Sequence, residues 1–345
     1  MSARELIKRA GNQATTVNPA YGVEYAMSTR GSDWLWAVFS IFAALTVVYS
    51  IVLIHAERVG TDIKRIAVVG PLAISLVLAF SYYTMASNLG WTAIQAEFNR
   101  HSSEFQDTIP GFRQIFYAKY VAWFLTWPIL LYLLELTATI TTSFALTSGV
   151  ATKVTTTRSW SFSYVAHTLS VEIGASLIFV IALLVGSLIH STYKWGYWTF
   201  AAFAQLLVTF VLFRHYVRDL LVALLDLTLL VVIEILILLY LVAWALSDGA
   251  NVISVDGGHV FFGVLDLCLF AILPAILYLG IKSPGRVRPF SFWKIRHHTQ
   301  YDLEKGEAAL AANAATNSED IAPAAVVTAE PVVTEGGVHD QPIVA

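Results

Sequence analysis

The run Val264-Leu265-Asp266-Leu267-Cys268-Leu269-Phe270 lies in the last of a series of long apolar stretches, about Val260 to Ile281, whose single charge is Asp266. Coiled as a helix, roughly 20 apolar residues match the hydrocarbon thickness of a bilayer. Six further stretches precede it: about Asp33 to His55, Ile66 to Ala86, Phe112 to Leu136, Leu169 to His190, Trp195 to Phe213 and Leu220 to Leu246. Charged or turn-forming residues close them, as in Glu57-Arg58, Arg214-His215, Ser247-Asp248-Gly249 and Ser283-Pro284-Gly285. The predicted fold is an all-α integral membrane bundle of seven transmembrane helices over residues 33–282.

Composition points the same way. The 345 residues are 57% hydrophobic and 13% charged, with a mean hydropathy of +0.66, whereas a soluble domain is about half apolar and a quarter charged. A net charge of -3 leaves no footprint for nucleic acid. Cys268 is the sole cysteine, which excludes an intramolecular disulfide and a cysteine-based metal site. No metal is expected.

Residues 1–32 include Arg4, Glu5, Lys8 and Arg9 and no apolar core of a cleavable signal, so they read as an extracellular N-terminal segment. With the C-terminus inside, the inner connections hold Arg58, Lys64, Arg65, Lys153, Arg158, Arg214 and Arg218, and the outer ones only Arg100 and Lys194, with Arg113 at the edge. That bias orients the chain N-terminus out. Thr137 to Thr168 is predicted to be a long loop with a partly embedded stretch, Ile140 to Val150. Residues 283–299 interleave Arg286, Arg288, Lys294 and Arg296 with Phe290, Phe292 and Trp293. They read as a strip on the inner leaflet, at about 1 kcal/mol per basic residue, or as an ordinary positive-inside anchor. Residues 300–345 are Ala-rich and acidic and read as a disordered cytoplasmic tail. No internal repeat is visible, which counts against a repeat-built transporter.

Charges within membrane helices are costly, so each needs an explanation. The candidates are Lys119, Glu135, Glu172, Asp226, Glu234 and Asp266. Glu135 is expected to reach water near its helix end. Lys119 and Asp266 are expected to pair, because a buried charge survives only with a partner; the alternative has Lys119 snorkelling outward. Tyr82 and Tyr240 are expected to donate hydrogen bonds to Asp266. Asp226 and Glu234, eight residues apart, share a helix face, either as a proton or ion path with Asp266 or as neutral carboxyl groups in the interior. Glu172 is expected to bond to a neighbouring helix or a second subunit, so a homo-oligomer is open.

The stretch Tyr117-Ala118-Lys119-Tyr120-Val121-Ala122-Trp123-Phe124-Leu125-Thr126-Trp127-Pro128 resembles the third helix of microbial rhodopsins. It keeps Trp123, Thr126 and Pro128 of that pattern, with Lys119 for its Arg and Ala122 for its counterion Asp. The last span resembles the retinal helix: Asp266 matches the second counterion and Phe270 the Schiff-base lysine. Tyr82, Tyr240 and Trp244 match pocket aromatics. The resemblance runs over about 33–282. The stretches Gly31-Ser32-Asp33-Trp34-Leu35-Trp36-Ala37-Val38 and Ser191-Thr192-Tyr193-Lys194-Trp195-Gly196-Tyr197 look like those of fungal opsin-related proteins, the group of the thirty-kilodalton heat-shock membrane proteins.

That resemblance implies a stress-induced plasma-membrane protein with a regulatory or chaperone-like role, proposed to act on the proton-pumping ATPase. With Phe270 and Ala122 in place, neither the Schiff-base cation nor its counterion is present, so no covalent retinal and no enzymatic activity are expected. The vestigial pocket is Tyr82, Lys119, Trp123, Tyr240, Trp244, Asp266 and Phe270. Partners are expected among membrane lipid and other membrane proteins, through Glu172 and the basic strip. Two rival functions remain: a proton or ion transporter using Asp226, Glu234 and Asp266, and a receptor holding a small apolar molecule noncovalently in the old pocket.

Overall fold

The structure, a computed structural model, describes residues 11–59, 62–98, 111–147, 162–214 and 224–282. Residues 283–299 and 300–345 lie outside the described residues, as does most of the connection from 148 to 161. A one-turn helix α1 (Ala14–Val17) precedes α2 (Thr29–Val59), α3 (Asp62–Ala86), strands β1 (Trp91–Gln95) and β2 (Phe112–Phe116), α4 (Ala118–Thr147), α5 (Phe162–Leu188), α6 (Lys194–Arg214) and α7 (Leu224–Trp244). A π-helical turn, Ala245–Gly249, extends α7. The last span is α8 (Val255–Asp266), a second π-turn (Leu267–Ile272) and α9 (Leu273–Lys282).

Seven of these helices are long and apolar enough to cross a membrane. In hydrocarbon a helix is favoured because it satisfies every backbone N–H and C=O within one segment. The same constraint tolerates Pro71 inside α3 and Pro128 inside α4, since neighbouring helices shield the carbonyls that proline leaves free. The core is aromatic: Trp123, Trp127, Trp244, Tyr82, Tyr120, Tyr240, Phe42, Phe179 and Phe270 are all buried. The outer faces carry apolar side chains such as Ile51, Phe80, Phe203 and Phe210, as a lipid-facing surface requires.

Two predicted boundaries are corrected. The third span does not begin at Phe112. Phe112–Phe116 pairs antiparallel with Trp91–Gln95, in register from Trp91 opposite Phe116 to Gln95 opposite Phe112. This hairpin covers one end of the bundle, and its Arg113 and Gln114 side chains turn inward. Gln114 accepts from the Met27 amide (2.8 Å) and donates to Asn88 (2.6 Å), so polar residues that read as part of a span instead bind loop to loop. Gly90 permits the close return: its φ is +72°, and a Cβ there would stand 2.8 Å from that of Ala118. At the other end, α4 runs on to Thr147, through residues predicted to form a loop. Of the embedded stretch Ile140–Val150, residues 148–150 lie outside the described residues.

The first and last spans are clamped beside the hairpin. Asp256 accepts from the Ser28 amide (2.9 Å) and hydroxyl (2.5 Å), and the Trp34 indole donates to the His259 carbonyl (3.0 Å). The absent side chain of Gly263 makes room for that indole: a Cβ would lie 2.6 Å from Trp34 Nε1. We expect Gly263→Ala to lower the unfolding free energy in detergent by about 1–3 kcal/mol, the usual cost of overpacking, and Gly263→Ala with Trp34→Leu to recover much of the loss. An unchanged melting temperature for the single variant would contradict this packing.

Candidate functional site

Asp266 ends the α-helical part of the last span, 1% exposed and surrounded by ring donors. Oδ2 accepts from the Tyr82 hydroxyl of α3 at 2.5 Å. Oδ1 accepts from the Tyr240 hydroxyl of α7 at 2.7 Å and from the Trp123 indole N–H of α4 at 3.0 Å. A carboxylate withdrawn from water is tolerable only when its lone pairs are filled in this way. The bonds to Tyr82 and Tyr240 match the sequence expectation, and the one to Trp123 adds to it.

Phe270 lies one turn further on, within the π-turn Leu267–Ile272, and is 2% exposed. Its ring meets Trp127 edge-on at 5.5 Å, and Trp127 meets Tyr240 at 5.8 Å and Phe179 at 5.8 Å. Trp123 packs T-shaped on Tyr240 at 5.2 Å and tilted on Phe262, also at 5.2 Å. The space beside Asp266 is thus occupied by interlocking rings, each contact adding about 0.5–1.5 kcal/mol beyond area burial. Ala122, also buried, presents only a methyl group where the resemblance places a counterion.

The expected Lys119–Asp266 pair does not form. Lys119 Nζ lies 2.6 Å from Asp248 Oδ2, in the π-turn that the sequence reading took for a loop end. Asp248 also accepts from the Tyr120 hydroxyl at 2.7 Å, and Arg113 Nε is 3.9 Å from its other oxygen. The π-turn carries Asp248 into the bundle: Ala250 bonds back to Ala245 across five residues, and Asp248 is 9% exposed. Lys119 does not snorkel either; it is 5% exposed, with its ammonium 4.3 Å from the Phe262 ring centre. That contact with a ring face helps to hold a cation removed from water.

Trp244 belongs to this second layer rather than to the rings around Phe270. Its indole donates to Ser187 Oγ (2.7 Å) and to the Leu183 carbonyl (3.0 Å). Lys194, read as an edge residue of the fifth span, is buried. It donates to the Gly249 carbonyl (2.6 Å) and pairs with Glu97 at 3.2 Å. Of the proposed pocket, the structure brings together Tyr82, Trp123, Tyr240, Asp266 and Phe270, and separates off Lys119 and Trp244. Trp127, Phe262 and Asp248 were missed. A Trp one helical turn past Trp123 was a legible sign, whereas Asp248 in Ser-Asp-Gly carried the signature of a turn.

Three carboxyl groups lie in the half of the bundle away from the hairpin. Glu234 accepts from Thr209 (2.5 Å) and Gln205 (3.4 Å). Glu135 is 3% exposed; because α4 continues for three more turns, it does not reach water at a helix end. Glu172 is wholly buried, and neither of its oxygens has a hydrogen-bond partner. It therefore presents no contact surface to a second subunit, contrary to expectation. The Asp226 side chain lies outside the described residues. No group of three or more His, Cys, Asp or Glu able to hold a metal ion occurs among the described residues.

Residues 29–279 match the family model for bacteriorhodopsin-like proteins. The chain belongs to this family. It is 39% identical over 297 residues to the 30 kDa heat shock protein of Saccharomyces cerevisiae, covering 85% of this chain and 86% of that one. It is 32% identical over 293 residues to the opsin-like protein carO of Fusarium fujikuroi, covering 80% and 83%. Among solved structures it is similar to the light-driven proton pump of Leptosphaeria maculans, with a TM-score of 0.57 and 24% identity over 74% of this chain and 95% of that one. The light-driven proton pump of Coccomyxa subellipsoidea gives 0.58 and 20%, over 74% and 98%. At these identities the two pumps show the shared fold alone. The chain is a multi-pass, fungal opsin-related membrane protein.

If the three donors carry Asp266, Tyr82→Phe and Tyr240→Phe should each cost about 1–3 kcal/mol of stability by leaving a buried acceptor short. Tyr132→Phe, at an exposed ring, should stay within about 0.5 kcal/mol. Equal, negligible losses in all three would contradict the arrangement.

Proposed function

We propose that this protein is a non-photoactive, non-enzymatic opsin-like protein of the plasma membrane, with its hairpin end outside, serving a stress-response or regulatory role through contacts with other membrane proteins. One observation carries the non-photoactive part. The carboxylate beside the retinal position is filled by three protein donors, and the position itself by the Phe270 ring. A protonated Schiff base needs an unfilled cavity and an anion free to face it, and this interior offers neither. The stress role is supported by the kinship to a protein named for heat shock. Action on the plasma-membrane proton ATPase, or as a chaperone, is a finer form of the same proposal. The packing of Phe270 weighs against a small apolar molecule held noncovalently in the old pocket.

A second reading, proton movement through the bundle, is favoured by one specific observation, the unpartnered carboxyl of Glu172. Buried polar atoms without partners are rare in native interiors and call for a water, an ion or a function.

One experiment separates the readings. The full chain is reconstituted in liposomes with all-trans retinal, and its visible spectrum is recorded together with internal pH, in light and in the dark. We expect no red-shifted pigment, no light-driven pH change and a dark pH relaxation equal to that of empty liposomes. A red-shifted pigment would overturn the first reading. A dark proton leak abolished by Glu172→Gln would establish the second.

A further inference from the structure

Beside the hairpin end, a cleft of ≈ 530 Å³ opens between the N-terminal segment and the first two spans. Such a volume is typical of a small-molecule site. Asn12, Asn18, Asp33, Trp36, Tyr83 and Ser87 line it. The wall is built rather than draped. Asn12 Nδ2 donates to Ser32 Oγ (2.7 Å) and Asp33 Oδ1 (2.8 Å). Asn18 donates to the Ser87 carbonyl (2.8 Å), and its own carbonyl accepts from Asn88 (2.6 Å). The segment is thus pinned at both ends, with α1 between.

The chemistry of the cleft changes from one side to the other. Asp33 is exposed and supplies a negative charge. Trp36, Phe39 and Tyr83 form a ring cluster with centroids 5.5 to 5.7 Å apart, and Tyr83 is half exposed. An acid next to aromatic faces is a setting for an ammonium group. Arg30 lies three residues before Asp33, on the same face of α2, and offers a cation for a phosphate. Away from the polar rim, Leu76, Phe80 and Tyr83 follow at helical spacing on α3, 57%, 74% and 50% exposed. They form an apolar stripe leading from the cleft along the membrane-facing side.

We propose that this cleft binds one zwitterionic phospholipid of the adjoining leaflet. Its ammonium sits against Asp33, Trp36 and Tyr83, its phosphate lies toward Arg30, and its acyl chains follow the Leu76–Phe80–Tyr83 stripe. The order of charges along the site, acid and rings beside a cation, suits a zwitterion and disfavours a purely anionic headgroup. The lipid would bridge the N-terminal segment to the bundle at a place where Asn12 and Asn18 alone hold it.

The test is native mass spectrometry of the full chain after reconstitution in vesicles of equal phosphatidylcholine and phosphatidylglycerol, followed by extraction in mild detergent. One retained phosphatidylcholine per chain is expected, with phosphatidylglycerol at least about tenfold less. Trp36→Leu and Asp33→Asn should each lower retention by about tenfold, the equivalent of one cation–ring or charge contact, with melting temperatures confirming that they fold. Equal retention of the two lipids, or of neither, would overturn the proposal on the native chain alone. Undiminished retention in both variants would move the lipid off this cleft and overturn it too. Displacement of the lipid by free phosphocholine at equal concentration would assign the cleft to a soluble ligand instead.

Discussion

The structure depends on the Asp266 carboxylate and the three ring donors that converge on it. Tyr82, Trp123 and Tyr240 come from three different spans and Asp266 from a fourth, so one buried anion fixes the rotation of four helices. In lipid the hydrophobic effect does not hold helices together, and packing with interhelical hydrogen bonds must do so. Placing the acceptor at the centre and aromatic donors around it supplies both at once, because each donor ring also packs edge-on against its neighbours. The register of Phe270 follows: with Asp266 fixed, the next turn of the same helix points its ring at Trp127.

A second, separate set of charges stands nearer the hairpin. Lys119 and Asp248 neutralise each other at 2.6 Å, with Tyr120 on the same carboxylate oxygen. The separation explains how a rhodopsin scaffold keeps intramembrane charges without a chromophore. A pigment needs a cation on the last span facing an anion. Here the last span carries only the anion, satisfied by neutral donors, while the cation of the third span is satisfied by the end of the sixth. Neither set leaves a charge for retinal to balance, and removing one member of the ionic set would strand the other in low dielectric.

The fold was legible because apolar length is a strong signal, and five of the seven spans were bounded to within a few residues. Phe112–Phe116 was misread because a short strand with Phe and Ile at its ends looks apolar when joined to the helix that follows. The pairing of Asp266 with Tyr82 and Tyr240 was legible from the residue types alone. The partner of Lys119 was not. Ser-Asp-Gly reads as a turn, and only the π-turn, whose backbone shift has no sequence signature, folds Asp248 inward. Glu172 and Glu135 were misjudged for a related reason: exposure depends on how far neighbouring helices continue, and α4 runs well past its last strongly apolar residue.

The most direct test is a pair of double-mutant cycles on unfolding free energy in one detergent. The first combines Lys119→Met with Asp248→Asn, the second Lys119→Met with Asp266→Asn. With the charges in two independent sets, a coupling of about 2 kcal/mol or more is expected in the first cycle and one within about 0.5 kcal/mol in the second. A strong coupling between Lys119 and Asp266 with none to Asp248 would contradict the account.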